Sequence, residues 1–274
     1  MEGYFTEEQE NLILHLYVDE GRGQLYCAKA CGSTNVNKVK EVLKKHNIPI
    51  RDFAHAAAIS NQNRAYKKNE AYFDIPSSNM AWLLGFLASD GSISSSDNNI
   101  KLGLAKKDRE ILERIRQEVQ IENEIGEYTT TSGFEVVELR WSSKRHKEAL
   151  AKYTITPKKT FTLIPPVNLP YKYWIDYIRG YFDGDGSISH LNNGAWRWSV
   201  CSATSAMLEW IVEYFYSEYN IPKVKIQYDK NHGKQGVYQI QYSTASAKKI
   251  HSILYTSNSL YLQRKKDMFD KITI

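Results

Sequence analysis

Apolar residues in this 274-residue chain fall into two matching blocks. An apolar segment over residues 82–89 reads as a helix and closes on Asp90-Gly91-Ser92-Ile93-Ser94. A second, over 174–184, closes on Asp185-Gly186-Ser187-Ile188-Ser189, 95 residues later. After each pentapeptide comes a polar turn rich in Ser, Asn, Asp or Gly and then a strand, 100–104 or 196–200, which is the pattern of a hairpin. Ile111, Leu112, Ile115 and Val119 recur at helical spacing over 108–119, as do Leu208, Ile211, Val212 and Phe215 over 205–219. Asp108 and Ser205 are the expected capping residues. A second hairpin follows in each block, 124–130 with 134–141 around Ser132-Gly133, and 224–228 with 237–242 around a Gly-rich turn. A helix over 143–153 or 246–255 closes each. The pattern predicts an α+β fold, α-β-β-α-β-β-α twice, with a stiff Pro-rich linker at 165–170.

The first 75 residues stand outside the repeat. A helix is expected over 6–18, with Thr6 and Gln9 as a capping pair. A turn at Gly21-Arg22-Gly23 leads to a short helix over 24–31, and Gly32-Ser33 to a third helix capped by Thr34. That outline is helix-turn-helix-like, with Asn35, Asn37, Lys38 and Lys40 early in the recognition helix, where contacts to DNA would arise. Any small three-helix bundle has the same rhythm. Residues 60–69 are polar and basic without apolar periodicity and read as a tether. The expected organisation is a small all-α DNA-binding domain at 1–59, a basic linker at 60–76, and half-domains at 77–164 and 171–274.

Composition adds exclusions and one hint. The chain is 42% hydrophobic and 24% charged with 7 prolines, which excludes disordered, collagenous and disulfide-scaffold proteins. The longest apolar run, 81–88, is too short to span a membrane, and the acidic N-terminus has no secretory pattern. Cys27, Cys31 and Cys201 read as reduced thiols of a cytoplasmic protein. Net charge is +5, but it is unevenly spread: residues 1–28 are acidic, whereas 29–70 and 220–274 are basic. Basic stretches among Tyr, Asn and Gln suit phosphate contacts, and equally suit solvated helix faces.

The repeated helix end carries the chemistry. Ala81, Gly85 and Ser89 are spaced four apart, as are Gly180 and Gly184, so two helices can meet at backbone contact. Packed about a pseudo-twofold axis, they would bring together two negative helix C-termini and the carboxylates of Asp90 and Asp185. Such a cluster calls for a cation, and oxygen donors suit a hard one such as Mg2+. A hard cation there would activate water and stabilise a leaving oxygen in phosphodiester hydrolysis. A single Asp-Gly after a helix is ordinarily only a C-cap and turn; the duplication is what gives it weight.

Leu83-Leu84-Gly85-Phe86-Leu87-Ala88-Ser89-Asp90-Gly91 and Ile178-Arg179-Gly180-Tyr181-Phe182-Asp183-Gly184-Asp185-Gly186 resemble the two signature motifs of monomeric LAGLIDADG homing endonucleases. The first motif departs from the pattern at Ala88, where an acidic residue is usual. The resemblance runs from about residue 77 to the C-terminus. It implies two half-domains forming a β-saddle on double-stranded DNA, a long asymmetric target site, and cleavage of both strands by a monomer without an obligatory protein partner. It implies divalent metal, Mg2+ or another hard ion, on Asp90 and Asp185 with the backbone carbonyls of Ser89 and Gly184. It also implies a lysine beside each metal site. Lys158-Lys159 and Lys265-Lys266 offer the pairs, of which Lys159 and Lys265 are favoured. On the saddle strands Lys101, Arg140, Arg197, Lys225, Gln227, Gln239 and Gln241 are candidates for base readout, with surface pairing or phosphate contact as alternatives.

Three functions stay open on this scaffold. The first is a site-specific nuclease carried by an intron or phage element and associated with the nucleoid. The second is a non-cleaving DNA-binding transcriptional regulator, and the third an intron maturase. Asp90, Asp185 and the lysine pairs favour the nuclease; Ala88 leans the other way.

Overall fold

A computed structural model describes residues 5–52, 67–230, 236–256 and 259–272. The chain divides into two compact units, Met1–Tyr66 and Lys67–Ile274. The expected tether falls partly at 53–66, outside the described residues, and so does most of the Gly-rich turn expected before residue 237.

Among its described residues the first unit holds three helices: α1 (Glu7–Leu14, widening into a π-helical turn over His15–Asp19), α2 (Gln24–Ala30) and α3 (Val36–Lys45). The Thr6 capping box forms, with Gln9 N–H donating to Thr6 Oγ1 and Thr6 N–H to Gln9 Oε1. The cap of α3 is Asn35 rather than Thr34: the Asn35 side chain accepts from Asn37 N–H at 3.0 Å. Ile13, Leu16, Tyr17, Cys27, Ala28, Val39, Val42 and Leu43 make the core. All three cysteines of the chain are free thiols.

The second unit holds the repeat. Its first half runs α4 (Ser78–Ser89), β1 (Gly91–Ile93), β2 (Asn99–Ala105), α5 (Arg109–Glu118), β3 (Gly126–Thr129), β4 (Glu135–Ser142) and α6 (Lys144–Lys152). Its second runs α7 (Trp174–Asp185), β5 (Gly186–His190), β6 (Trp196–Ser202), α8 (Ser205–Tyr219), β7 (Gln227–Asp229), β8 (Val237–Ser243) and α9 (Thr244–Leu254). A further helix, α10 (Gln263–Asp270), follows. Each half forms one antiparallel four-stranded sheet, ordered β1-β2-β4-β3 and β5-β6-β8-β7. Alternation along the strands sends Ile100, Leu102, Leu139 and Trp141 inward in one sheet, and Trp198, Val200, Ile240 and Tyr242 in the other.

Two predicted caps are corrected. Asp108 precedes α5 but makes no side-chain cap; its carboxylate takes Arg264 instead. The N-cap of α8 is Thr204, not Ser205. Residues 67–69, expected in the tether, are tied to the first half: Asn69 N–H donates to Val119 O and Glu122 N–H to Lys67 O.

α4 and α7 are the two central helices, buried from Met80 through Ala88 on one and from Asp176 through Asp183 on the other; α4 is apolar nearly all round, whereas α7 also buries Asp176, Arg179 and Asp183. They cross at backbone contact. A methyl group at Gly85 would lie 2.0 Å from Tyr177 O, and one at Gly180 would lie 1.9 Å from Trp82 O. Any side chain at these positions forces the helices apart. Gly180→Ala should therefore cost at least about 3 kcal/mol, seen as a lower urea midpoint. Gly103→Ala, with no atom within 4 Å of the added carbon, should leave the midpoint nearly unchanged.

Candidate active site at the helix crossing

The crossing brings the two repeated pentapeptides together. Asp90 is the C-cap residue of α4, and Asp185 is the last residue of α7. A methyl group at Gly184 would strike Ser89 Oγ at 1.8 Å and come within 3.0 Å of Asp90 Oδ2. Glycine at 184 is thus what lets the Asp90 carboxylate lie over the last turn of the opposite helix. Both aspartates have solvent-exposed surface, yet protein crowds the carboxylates from below. That desolvation raises the pKa of Asp90, and it pushes Asp185 up to about 6, with Asp90 as the next cause.

Two lysines stand beside them. Lys159 is buried and donates to Gly91 O at 2.6 Å. Lys265 is buried and spends three N–H bonds on Phe182 O, Gly184 O and Gly186 O, at 2.7, 2.8 and 2.7 Å. Gly91 and Gly186 are matching residues of the repeat, so the two ammonium groups meet equivalent carbonyls. Burial lowers the pKa of Lys159 and brings Lys265 down to about 8, while the two aspartates pull in the opposite direction. The other member of each pair points elsewhere: Lys158 is exposed, and Lys266 pairs with Asp270 at 2.6 Å. Of the expected carbonyl donors, Gly184 O already accepts Lys265, and Ser89 has its hydroxyl turned back on Phe86 O at 3.0 Å.

The donor set decides which ion fits. Among the described residues no cluster of three or more His, Cys, Asp or Glu forms a metal cage. Two carboxylates at helix C-termini, flanked by carbonyls, suit a hard divalent ion that keeps much of its water and meets a phosphate. They do not suit zinc.

Several residues around the site were not anticipated. Asp183 is buried and accepts from Trp82 Nε1 at 2.8 Å, Leu262 N–H at 2.9 Å and Tyr255 OH at 3.0 Å. Burial pushes its pKa up to about 6. Arg179, also buried, donates to Asp176, Leu254 O, Leu260 O and Ser259. The only sequence signal for these was a charged residue inside an otherwise apolar helix.

The expected readout residues divide between two sheets. Lys101 and Arg140 are opposite one another on the outward face of β2 and β4, and both engage Glu138, at 3.5 and 2.7 Å. In the second half Gln227 lies opposite Gln239, and Gln239 opposite Cys201. Gln241 donates to Gln239 at 2.6 Å. Arg197 is half-buried opposite Ser243. Lys225 precedes β7 instead of lying on it, because the strand begins only at Gln227. On α3, Asn37 and Lys40 are exposed, Asn35 is occupied as the cap, and Lys38 is half-buried.

Residues 77–153 and 175–260 each match the LAGLIDADG-like domain, one match per half. The chain belongs to the LAGLIDADG family. A protein of Methanocaldococcus jannaschii described only as uncharacterized is 20% identical over 159 residues, 55% of this chain and 54% of its own. The LAGLIDADG chain thus spans about half the length of that relative. Among solved structures, the homing endonuclease I-WcaI bound to its DNA recognition sequence is 12% identical. It covers 81% of this chain and 97% of its own, with a TM-score of 0.50. Full-length DUF199/WhiA from Thermatoga maritima is 14% identical over 75% of this chain and 64% of its own, at a TM-score of 0.46. At 12% identity the likeness to I-WcaI is one of fold.

The raised aspartates make the helix crossing pH-sensitive. Asp183 and Asp185 titrate near 6 in the folded LAGLIDADG chain, against about 3.9 when unfolded. Their stabilising contribution is therefore full below about 4 and is lost as pH rises through about 6. In chelator, Asp90→Asn should gain stability relative to the parent protein as pH rises across this window, because it removes the charge facing Asp185. Urea midpoints against pH for the two proteins give the comparison.

Proposed function

We propose that this LAGLIDADG chain is a site-specific double-strand DNA endonuclease. The observation that carries the reading is the pairing of Asp90 and Asp185 at the crossing of two helix C-termini, with a buried lysine donating to an equivalent carbonyl on each side. Asp90 and Asp185 would hold a divalent ion such as Mg2+, with the Ser89 and Gly184 carbonyls as further oxygen donors. When bound, the ion would supply charge neutralisation and Lewis-acid polarisation of a phosphodiester. Lys159, desolvated and lowered in pKa, would orient water and exchange a proton with it on one strand, and Lys265 would do the same on the other by releasing one of its three carbonyl bonds.

The outward faces of the two sheets are read as the DNA surface. Their chemistry differs: Lys101 and Arg140 with Glu138 in the first, Gln227, Gln239 and Gln241 with Arg197 and Lys225 in the second. Arginine suits guanine and glutamine suits adenine, so the two halves would read unlike sequences and the site would be long and asymmetric. The first unit is read as a helix-turn-helix-like module contributing Asn35, Asn37, Lys38 and Lys40. Among the described residues no helix is long and apolar enough to cross a membrane. The protein is read as a cytoplasmic, nucleoid-associated monomer.

Cleavage selection tests the reading: purified protein is incubated with genomic DNA and Mg2+, and new ends are sequenced. Recurrent breaks at one site are expected, with Asp185→Asn slowing them at least about 100-fold while DNA affinity stays within a few-fold. Site-specific binding without breaks would instead support a regulator on the same scaffold. Removing residues 1–60 should shorten the protected footprint on the selected site; an unchanged footprint would remove the first unit from the DNA interface.

A further inference from the structure

We infer that Asp108, in the first half, is a positioning residue for Lys265 of the second half and acts through Arg264. Its catalytic consequence rests on the endonuclease reading; the clamp itself does not.

Asp108 stands at the start of α5, yet its side chain gives nothing to that helix. Only 5% of the side chain is exposed, and Arg264 Nε donates to both carboxylate oxygens at 2.9 Å. A buried carboxylate needs such a partner, so the bond holds firmly from the Asp108 side. Arg264 is chain neighbour to Lys265, and both lie in the first turn of α10.

That turn has no side-chain cap of its own, since Leu262 occupies the N-cap position. The segment leading into it is fixed by bonds to distant parts of the chain. Leu260 N–H donates to Asn79 Oδ1, Leu262 N–H to Asp183, and Arg264 to Asp108. Asn79 and Asp108 both belong to the first half. The entry to the helix bearing the second lysine is thus moored in part to the other repeat, while Phe269 and Asp270 hold its far end to the second half.

Lys265 needs this precision. Its ammonium group meets three carbonyls at 2.7 to 2.8 Å, and a displacement of about 1 Å could not keep all three bonds at that length. Lys159 reaches Gly91 O within its own half. Loosening Asp108 therefore disturbs one lysine of the pair and spares the other.

The test uses the full chain carrying Asp108→Asn, which keeps size and capping ability, and separately Arg264→Met, which keeps the apolar stem. Thermal melting confirms folding. Lysine accessibility is read by brief acetylation with the N-hydroxysuccinimide ester of acetic acid, followed by peptide mass spectrometry. Labelling of Lys265 should rise about 10-fold in both variants while Lys159 stays within about 2-fold. On the cleavable site, one strand should be cut about 10-fold more slowly and the other at the normal rate, so nicked duplex accumulates. Unchanged Lys265 labelling, or equal exposure of both lysines, overturns the inference. Selective exposure of Lys265 in a protein that cuts no DNA upholds the clamp and overturns the endonuclease reading. Equal slowing of both strands overturns the positioning role in catalysis.

Discussion

Everything at the centre of the second unit depends on two helices touching without side chains between them. Gly85 faces the backbone at Tyr177, and Gly180 faces the backbone at Trp82. This contact sets how far the helices run past each other and so where their last residues stop. Asp90 reaches over Gly184 because the crossing about one turn earlier is already closed. The sheets then spring from Gly91 and Gly186, so the helix contact also sets the position of both strand systems.

Close approach has an electrostatic cost. Two helix C-termini and two carboxylates meet in a crowded place, and the raised pKa values of Asp90 and Asp185 express first the desolvation and then, at Asp185, the charge of Asp90. Lys159 and Lys265 answer part of it, donating to the carbonyls of the residues that follow each aspartate. Their own ammonium groups are desolvated in turn, which makes them better proton carriers than surface lysines. The same crowding that raises the aspartates' pKa values thus lowers those of the lysines.

The repeat was legible in the sequence because it is written twice. Two copies of Asp-Gly-Ser-Ile-Ser, each closing an apolar helix with small residues at four-residue spacing, suffice to derive the helix contact and the meeting of carboxylates. Strand and helix limits came within a few residues, with Lys225 wrongly included in a strand. Local capping was less legible. Thr34, Asp108 and Ser205 are all good capping types, but a neighbour took the role in two cases and Arg264 claimed the third. What sequence could not show were bonds whose partners lie about 80 or more residues away. Asp183 with Trp82 and Leu262, Arg179 with Ser259, and Asp108 with Arg264 leave no periodic trace.

The bond between Trp82 and Asp183 has a counterpart that is missing. By the 95-residue offset, Tyr177 stands where Trp82 does and Ala88 where Asp183 does. The first pair is hydrogen-bonded at 2.8 Å, whereas the Tyr177 hydroxyl is buried and meets no partner among the described residues. The halves have therefore become a lock and its key. Two first halves would leave both tryptophans without a carboxylate, and two second halves would bury both Asp183 groups without an indole. Only the mixed pairing supplies the indole-to-carboxylate bond, so the duplicated halves are no longer interchangeable at this contact.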